Sequence, residues 1–294
     1  MKPILVCMAL AIVVMAPQVT IPVQKAPIGI PVREGPISVP VIRPTGPGQV
    51  DWSYQAIQAK GMSVIDTALP LAQAKAMAIR GAKLDAQRNL LETIKGVRIV
   101  SETRVNDLMT LSDYVYSRVE GVVKGAVMVG EPREAGDGKI EVVMEIPLYG
   151  KAGIAPPLVD EIMKLKPPRE PRGMIPAKDR ETVEALSSVV FDLSGTGIEP
   201  QMFPALLDSS GNVLLDMIQY YQAGAEAFEK LRYVKSIEDV LRDPELRSNP
   251  LVIKVIEATE KGWVVAQKDV KKVSWLEKGF DILLKLGKVV MMFL

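Results

Sequence analysis

Six residues spaced by four, Ala74, Ala78, Ala82, Ala86, Leu90 and Ile94, constrain the fold of this chain more than any other feature. A spacing of four keeps side chains on one narrow stripe of an α-helix, and neither a strand nor a loop imposes it. Four of the six are alanine, so the stripe has little height and the helix can lie close against a sheet. The pattern predicts a helix over residues 69–94, stopped by Gly96 and followed by a strand over 97–105.

The flanking segments suit a small α+β domain over residues 50–150. Residues 50–65 mix small, polar and apolar side chains as a first strand would, and 107–119 predicts a shorter helix carrying Leu108, Leu111, Val115 and Val119. Two further strands are expected at 122–129 and 140–148, joined around Gly136-Asp137-Gly138, a hairpin signal. Residues 151–183 hold Pro156, Pro157, Pro167, Pro168, Pro171 and Pro176 among mixed charges, and read as a connector with at most one amphipathic turn at 158–165.

A second α+β domain is expected over 184–294. Its strands read as 186–193, a hairpin of 205–208 with 213–216 around Ser210-Gly211-Asn212, and a pair at 251–258 and 263–266. Residues 269–286 read as helix, with Val273, Leu276, Phe280, Leu283 and Leu284 at core spacing. The run 219–233, with Ala223, Ala227 and Leu231 on one face, reads as a surface helix. Residues 288–294 form a terminal strand apolar enough to belong inside a sheet. The expected class is therefore two small mixed α/β domains, each a mainly antiparallel sheet packed by helices.

The chain opens differently. Lys2 precedes an unbroken apolar run, Ile4 to Met15, with the charge and length of a secretory signal core and well short of the roughly 20 residues that span a bilayer. Residues 1–16 are expected to direct export, with retention as an inner-membrane anchor as the alternative. Cys7 follows Val6 where a lipid-bearing cysteine would follow a small residue, which argues against lipidation. Residues 17–49 form a proline-rich arm that repeats every nine residues as IPVQKAPIG, IPVREGPIS and VPVIRPTGP. Eight prolines from Pro17 to Pro47 oppose a helix or a central strand. In extended form the three repeats reach roughly 80 Å at about 3.1 Å per residue. The apolar pairs Ile21 and Val23, Ile30 and Val32, Val39 and Val41 are candidate partner contacts along a groove or sheet edge.

Composition closes several classes of chemistry. The 294 residues contain no histidine, which removes imidazole as general base or metal ligand. The single cysteine, Cys7, lies in the signal segment, leaving the remainder without thiol, disulfide or thiolate metal site. With Lys2 gone, 35 basic residues balance 35 acidic ones, which gives no electrostatic reason to expect nucleic acid. Asp192-Leu193-Ser194-Gly195 lacks the uninterrupted triplet and second copy of an aspartic protease, and Gly195-Thr196-Gly197 lacks a third glycine and meets Pro200 where a helix should open. No catalytic, metal or cofactor residue is assigned. Trp52, Tyr54, Trp263 and Trp275 read as packing. Asp85, Arg88 and Glu92 are spaced as ion pairs on a helix flank, with a subunit contact as their candidate role. The long helix also excludes a transmembrane β-barrel.

Val50-Asp51-Trp52-Ser53 with residues 71–105, through the alanine stripe, Arg80, the string Asp85 to Glu92 and the turn Gly96-Val97-Arg98, resembles the LPP-twenty type bacterial envelope lipoproteins. These are similar to the N-terminal domain of flagellar assembly protein T. Residues 189–214 and Asn249 to Val252 resemble a module that accompanies that domain in exported proteins. The resemblance implies a periplasmic or outer-membrane-associated protein, in several relatives part of the scaffold around the flagellar motor. The expected function is a noncatalytic scaffold that forms a homo-oligomer or joins an envelope protein partner, with a binding module for a small ligand or cell-wall polymer as the alternative.

Overall fold

The computed structural model describes residues 37, 39–100, 102–165, 176–221 and 224–293. The expected signal segment, Cys7, and the repeat residues Ile21, Val23, Ile30 and Val32 lie outside the described residues, as do Pro167, Pro168, Pro171 and Ala223. The chain runs β1 (Ile42–Thr45), β2 (Gly48–Asp51), β3 (Ala56–Val64), α1 (Leu71–Lys95), β4 (Arg98–Val100), β5 (Thr103–Arg104), α2 (Val105–Leu111), α3 (Asp113–Lys124), β6 (Val127–Met128), β7 (Arg133–Glu134) and β8 (Lys139–Pro147). Two helices follow, α4 (Ala155–Leu165) and α5 (Ala177–Glu184). The remainder is β9 (Ser188–Asp192), β10 (Ala205–Leu207), β11 (Val213–Asp216), α6 (Ile218–Tyr221), α7 (Ala225–Phe228), β12 (Arg232–Val234), α8 (Ile237–Arg242), β13 (Pro250–Thr259), β14 (Gly262–Val265), α9 (Val270–Leu276), α10 (Phe280–Lys285) and β15 (Val289–Met292).

The α+β class is as the sequence implies. The first sheet is antiparallel throughout, in the order β1-β2-β3-β8-β6 with β7 also on β8. Helix α1 buries Ala74, Ala78, Ala82, Ala86, Leu90 and Ile94 against it. The fit is closest at Gly61 of β3, where a Cβ would stand 2.1 Å from Ala86 N and 2.2 Å from Ala82 O. Alanine on the helix and glycine on the strand together permit this approach, while Leu90 and Ile94 at the wider end add roughly 1.5–3 kcal/mol each by burial.

The second sheet runs β11-β10-β14-β13-β9-β15-β12. It is mixed rather than mainly antiparallel: β13, β9, β15 and β12 are mutually parallel, and β10 is parallel to β14. Long connections carrying helices lead from β9 to β13 and from β14 to β15, and these lengths allow parallel neighbours. The terminal strand β15 is flanked on both sides and fully buried, as its composition implies.

Several local expectations are corrected. Of the strand expected at 122–129 only Val127–Met128 form one, β6 on β8; residues 122–124 end α3, because Val115, Val119 and Val123 bury as one helical face, and Ser112 Oγ accepts the Val115 N–H to cap it. The Asp-Gly turn, with Gly136, Asp137 and Gly138 all at positive φ, joins β7 to β8 instead. Residues 97–105 form a small hairpin, β4 with β5, and not one strand. The connector expected over 151–183 contains α4, in which Leu158, Val159, Ile162 and Met163 are buried. Pro156 and Pro157 fall in its first turn, where a missing N–H costs nothing. The surface helix expected at 219–233 is two short helices and the strand β12.

The boundary of the arm also shifts. The third repeat enters the first sheet: Val41 is 0% exposed, and Ile42–Thr45 pair with β2. Val41 N donates to Ser53 Oγ, and Val41 O accepts from Trp52 N, so Val41, Arg43 and Thr45 share the register facing β2. Pro40 and Pro44 alternate with them and face away, where no ladder bond is lost.

One continuous apolar cluster extends from Val41 and the α1 stripe through Leu158 to Phe203, Phe228 and Phe293 in the second sheet. The two halves therefore share a core. Buried polar bonds cross the same seam: Tyr149 Oη donates to Met202 O (2.8 Å), and Tyr233 Oη donates to Gln201 O (3.0 Å). Trp52 packs on Tyr233 with ring centroids 5.3 Å apart.

Candidate functional site

Charge and hydroxyl chemistry gather where β9 ends. Asp192 Oδ1 accepts from Ser194 N (2.9 Å) and Ser194 Oγ (2.5 Å). From the neighbouring parallel strand, Lys254 Nζ reaches Asp192 Oδ2 at 3.2 Å, Ser194 O at 2.7 Å and Ser194 Oγ at 3.1 Å. A serine beside a lysine is the raw material of a nucleophilic dyad, which needs a neutral amine to take the hydroxyl proton. Here three oxygen acceptors engage the ammonium, and the hydroxyl donates to a carboxylate. Burial raises the Asp192 proton affinity, but the bonds from Ser194 and Lys254 outweigh it and hold the carboxyl below its ordinary range. The cluster locks the loop after β9 to β13 and has no free base.

Beside this lock lies an open cleft of about 840 Å³. Its floor and one wall are the segment from Thr196 to Gln201; a second wall is Arg98 and Glu102 of the first half, and the third is the outer part of β13, residues 256–260. Strand β9 pairs with β13 only as far as Asp192 opposite Lys254. Beyond that point β13 continues, paired with β14 alone, so its edge at residues 256–259 has no strand partner among the described residues. Ile256 is 50% exposed, and Glu257, Ala258 and Thr259 are exposed as well. Four carboxylates, Glu102, Glu199, Glu257 and Glu260, face one guanidinium, Arg98, which is bonded to Glu199 at 2.7 Å. Gln201 is 2% exposed, and its Oε1 is buried with no hydrogen-bond partner.

The residues singled out from sequence are dispersed. Val39 is half-buried and Val41 is a core residue. Asp85 forms no pair with Arg88; its Oδ2 accepts the Met62 N–H at 2.9 Å, and Asn89 Nδ2 donates to Lys60 O at 2.7 Å. Both side chains cover the stretch of β3 that extends past β2. Glu92 pairs with Lys95 (2.7 Å), and Arg88 is exposed. Trp52 and Trp263 are buried, Trp275 partly so. The cleft itself escaped sequence reading, because its walls come from residues 98–102, 196–201 and 256–260. Among the described residues no helix is long and apolar enough to cross a membrane. No protein-family model matches the chain, and no curated protein matches it significantly.

Proposed function

We propose that this chain is a noncatalytic scaffold of the bacterial envelope, exported by its amino-terminal apolar segment and working in the periplasm in association with the outer membrane. The flagellar surround is the assembly that the family resemblance implies. The observation that carries the reading is the seam between the two sheets. Ser53 Oγ accepts from Val41 N and donates to Tyr233 O (2.6 Å), while Gln55 Nε2 donates to Phe228 O (3.0 Å) and Leu231 O (2.5 Å). Buried polar bonds of this kind are costly to break one at a time, so the two sheets move as one body. A rigid block that carries an arm suits assembly better than a receptor whose domains must close on a ligand. The Asp192–Ser194–Lys254 lock supports a noncatalytic role for this serine beside a lysine.

A second reading, a binding module for a small ligand or cell-wall polymer, draws support from the 840 Å³ cleft, a volume typical of ligand sites. Light scattering of the purified full chain separates the two. A scaffold gives a mass that is a multiple of one chain and grows with concentration, and a strictly monomeric solution at every concentration refutes the scaffold. Fractionation of cells tests location: recovery of the chain in the cytosol refutes export.

A further inference from the structure

We infer that the open edge of β13 receives a nine-residue arm repeat from a second copy of this chain, added as an extended strand. The inference rests on the scaffold reading above and names its contact. Among the described residues the outer sides of β6, β7 and β11 carry no strand partner either, but three other strand edges are closed, each by a different device. The outer edge of β1 carries Pro40 and Pro44 in its outward register, the overhang of β3 is bonded by Asp85 and Asn89, and the free side of β12 is bonded by Ser53 and Gln55 at Tyr233 O and Leu231 O. The stretch 256–259 of β13 has no such cover among the described residues and faces a cleft. Unpaired N–H and C=O groups along an accessible edge are the template for strand addition.

The arm has the properties of the added strand. Its third repeat already forms an edge strand in the first sheet, with Val41 as the buried anchor and the exposed Pro44 in the outward register. The first two repeats place Val23 and Val32 at the position of Val41, and Pro22 and Pro31 at the position of Pro40. Pro22 and Pro31 lie in the outward register, whereas Pro27 and Pro36 fall at the position of Thr45, which faces the partner strand, so the paired stretch of each repeat ends before them, at residues 23–26 or 32–35. Charge agrees with this pairing. The cleft sets four carboxylates against one guanidinium, and the first two repeats carry Lys25 and Arg33 against Glu34. Each chain then has one slot and repeats to give, a head-to-tail contact that builds rings or filaments.

The test uses two populations of full-length chain, both Cys7→Ser, one with Val32→Cys and the other with Ala258→Cys. They are tagged differently, mixed, and treated with a short bismaleimide. The expected result is a product containing both tags, reduced at least fivefold by Glu257→Lys with Glu260→Lys in the acceptor and competed by excess synthetic peptide of residues 21–36. Absence of that product from a solution that light scattering shows to be oligomeric overturns the inference and leaves the scaffold reading standing. A chain carrying both cysteines that links only to itself also overturns it, by assigning the slot to its own arm. A monomer at every concentration removes both.

Discussion

Replacing Gly61 by alanine tests the packing of α1 on the first sheet. The added methyl would stand 2.1 Å from Ala86 N, 2.2 Å from Ala82 O and 2.7 Å from Ala86 Cα, all backbone atoms of a helix of 25 residues. No side-chain rotation relieves such a contact, so α1 must lift away from β3 along its stripe. Overpacking of a close-fitted core costs about 1–3 kcal/mol, and rigid neighbours place this site near the top of that range. Alanine recovers about 0.5–1 kcal/mol of the backbone entropy that glycine loses in a strand, which leaves about 2 kcal/mol. In a protein of this size that lowers the melting temperature by about 4–8 °C. Ala86→Gly in the same chain gives no rescue, because the obstacle is backbone and not the Ala86 methyl. Gly121→Ala is the control of opposite sign: it lies within α3 with nothing within 4 Å of its Cβ position, and it stabilises by about 1 kcal/mol. Thermal and urea denaturation measure all three. A Gly61→Ala protein as stable as the parent would refute the register of α1 on β3.

Four further substitutions probe the seams and the flank of α1. Gln55→Ala removes the side-chain donor to Leu231 O and one of the two donors to Phe228 O, which keeps the Leu231 N–H; it costs about 1–3 kcal/mol and speeds amide exchange in residues 228–234, and unchanged exchange there would count against the latch. Asp85→Ala leaves Met62 N without its side-chain acceptor and costs about 1 kcal/mol, whereas Arg88→Ala stays within about 0.5 kcal/mol; equal effects in denaturant titrations would restore the ion-pair view of that helix flank. Burial drives the phenols of Tyr149 and Tyr233 well above the ordinary value near 10 and pushes Tyr221 up to about 12. These groups keep their protons in the folded protein after the unfolded chain begins to lose them, so their stabilisation is complete below about pH 10 and is lost as pH rises past it. Tyr149→Phe lowers stability at pH 7 by about 1 kcal/mol through the lost bond to Met202 O and flattens the alkaline decline; a decline as steep as the parent's would refute the assignment.

Much of this architecture was legible because short-range rules decide it. The stripe from Ala74 to Ile94 specified both the helix and its buried face, and the apolar terminal strand signalled an interior position. Proline counts misled at both ends of the first half. The prolines of 151–183 suggest a connector although Pro156 and Pro157 occupy the first turn of α4, which tolerates them, and the arm prolines oppose a helix or central strand but leave room for the edge strand β1, where Pro44 takes the outward register. Gly61 carries no sign of its role in sequence. Its meaning depends on which helix residues cross it, and only the register of α1 on β3 supplies that.

Strand edges lie further from the sequence than strands do. Residues 251–258 read as a strand from composition, but whether Ile256 to Thr259 are paired on the side facing β9 depends on where β9 stops, 64 residues before Ile256, at Asp192 opposite Lys254. The carboxylate of Asp192 turns back to Ser194 and holds Lys254, so the following loop is tied to the Lys254 side chain and does not continue the ladder along β13. The same cluster that resembles a nucleophile site in outline is thus what opens the edge beside it. If that lock were loosened by Asp192→Ala, the loop 193–201 would be free to approach β13, and the slot would narrow as one of its walls moved. Capture of the arm peptide by the edge should then weaken together with the lock, although neither Asp192 nor Lys254 lines the cleft. The function proposed for the edge therefore depends on polar residues that never touch the arriving strand.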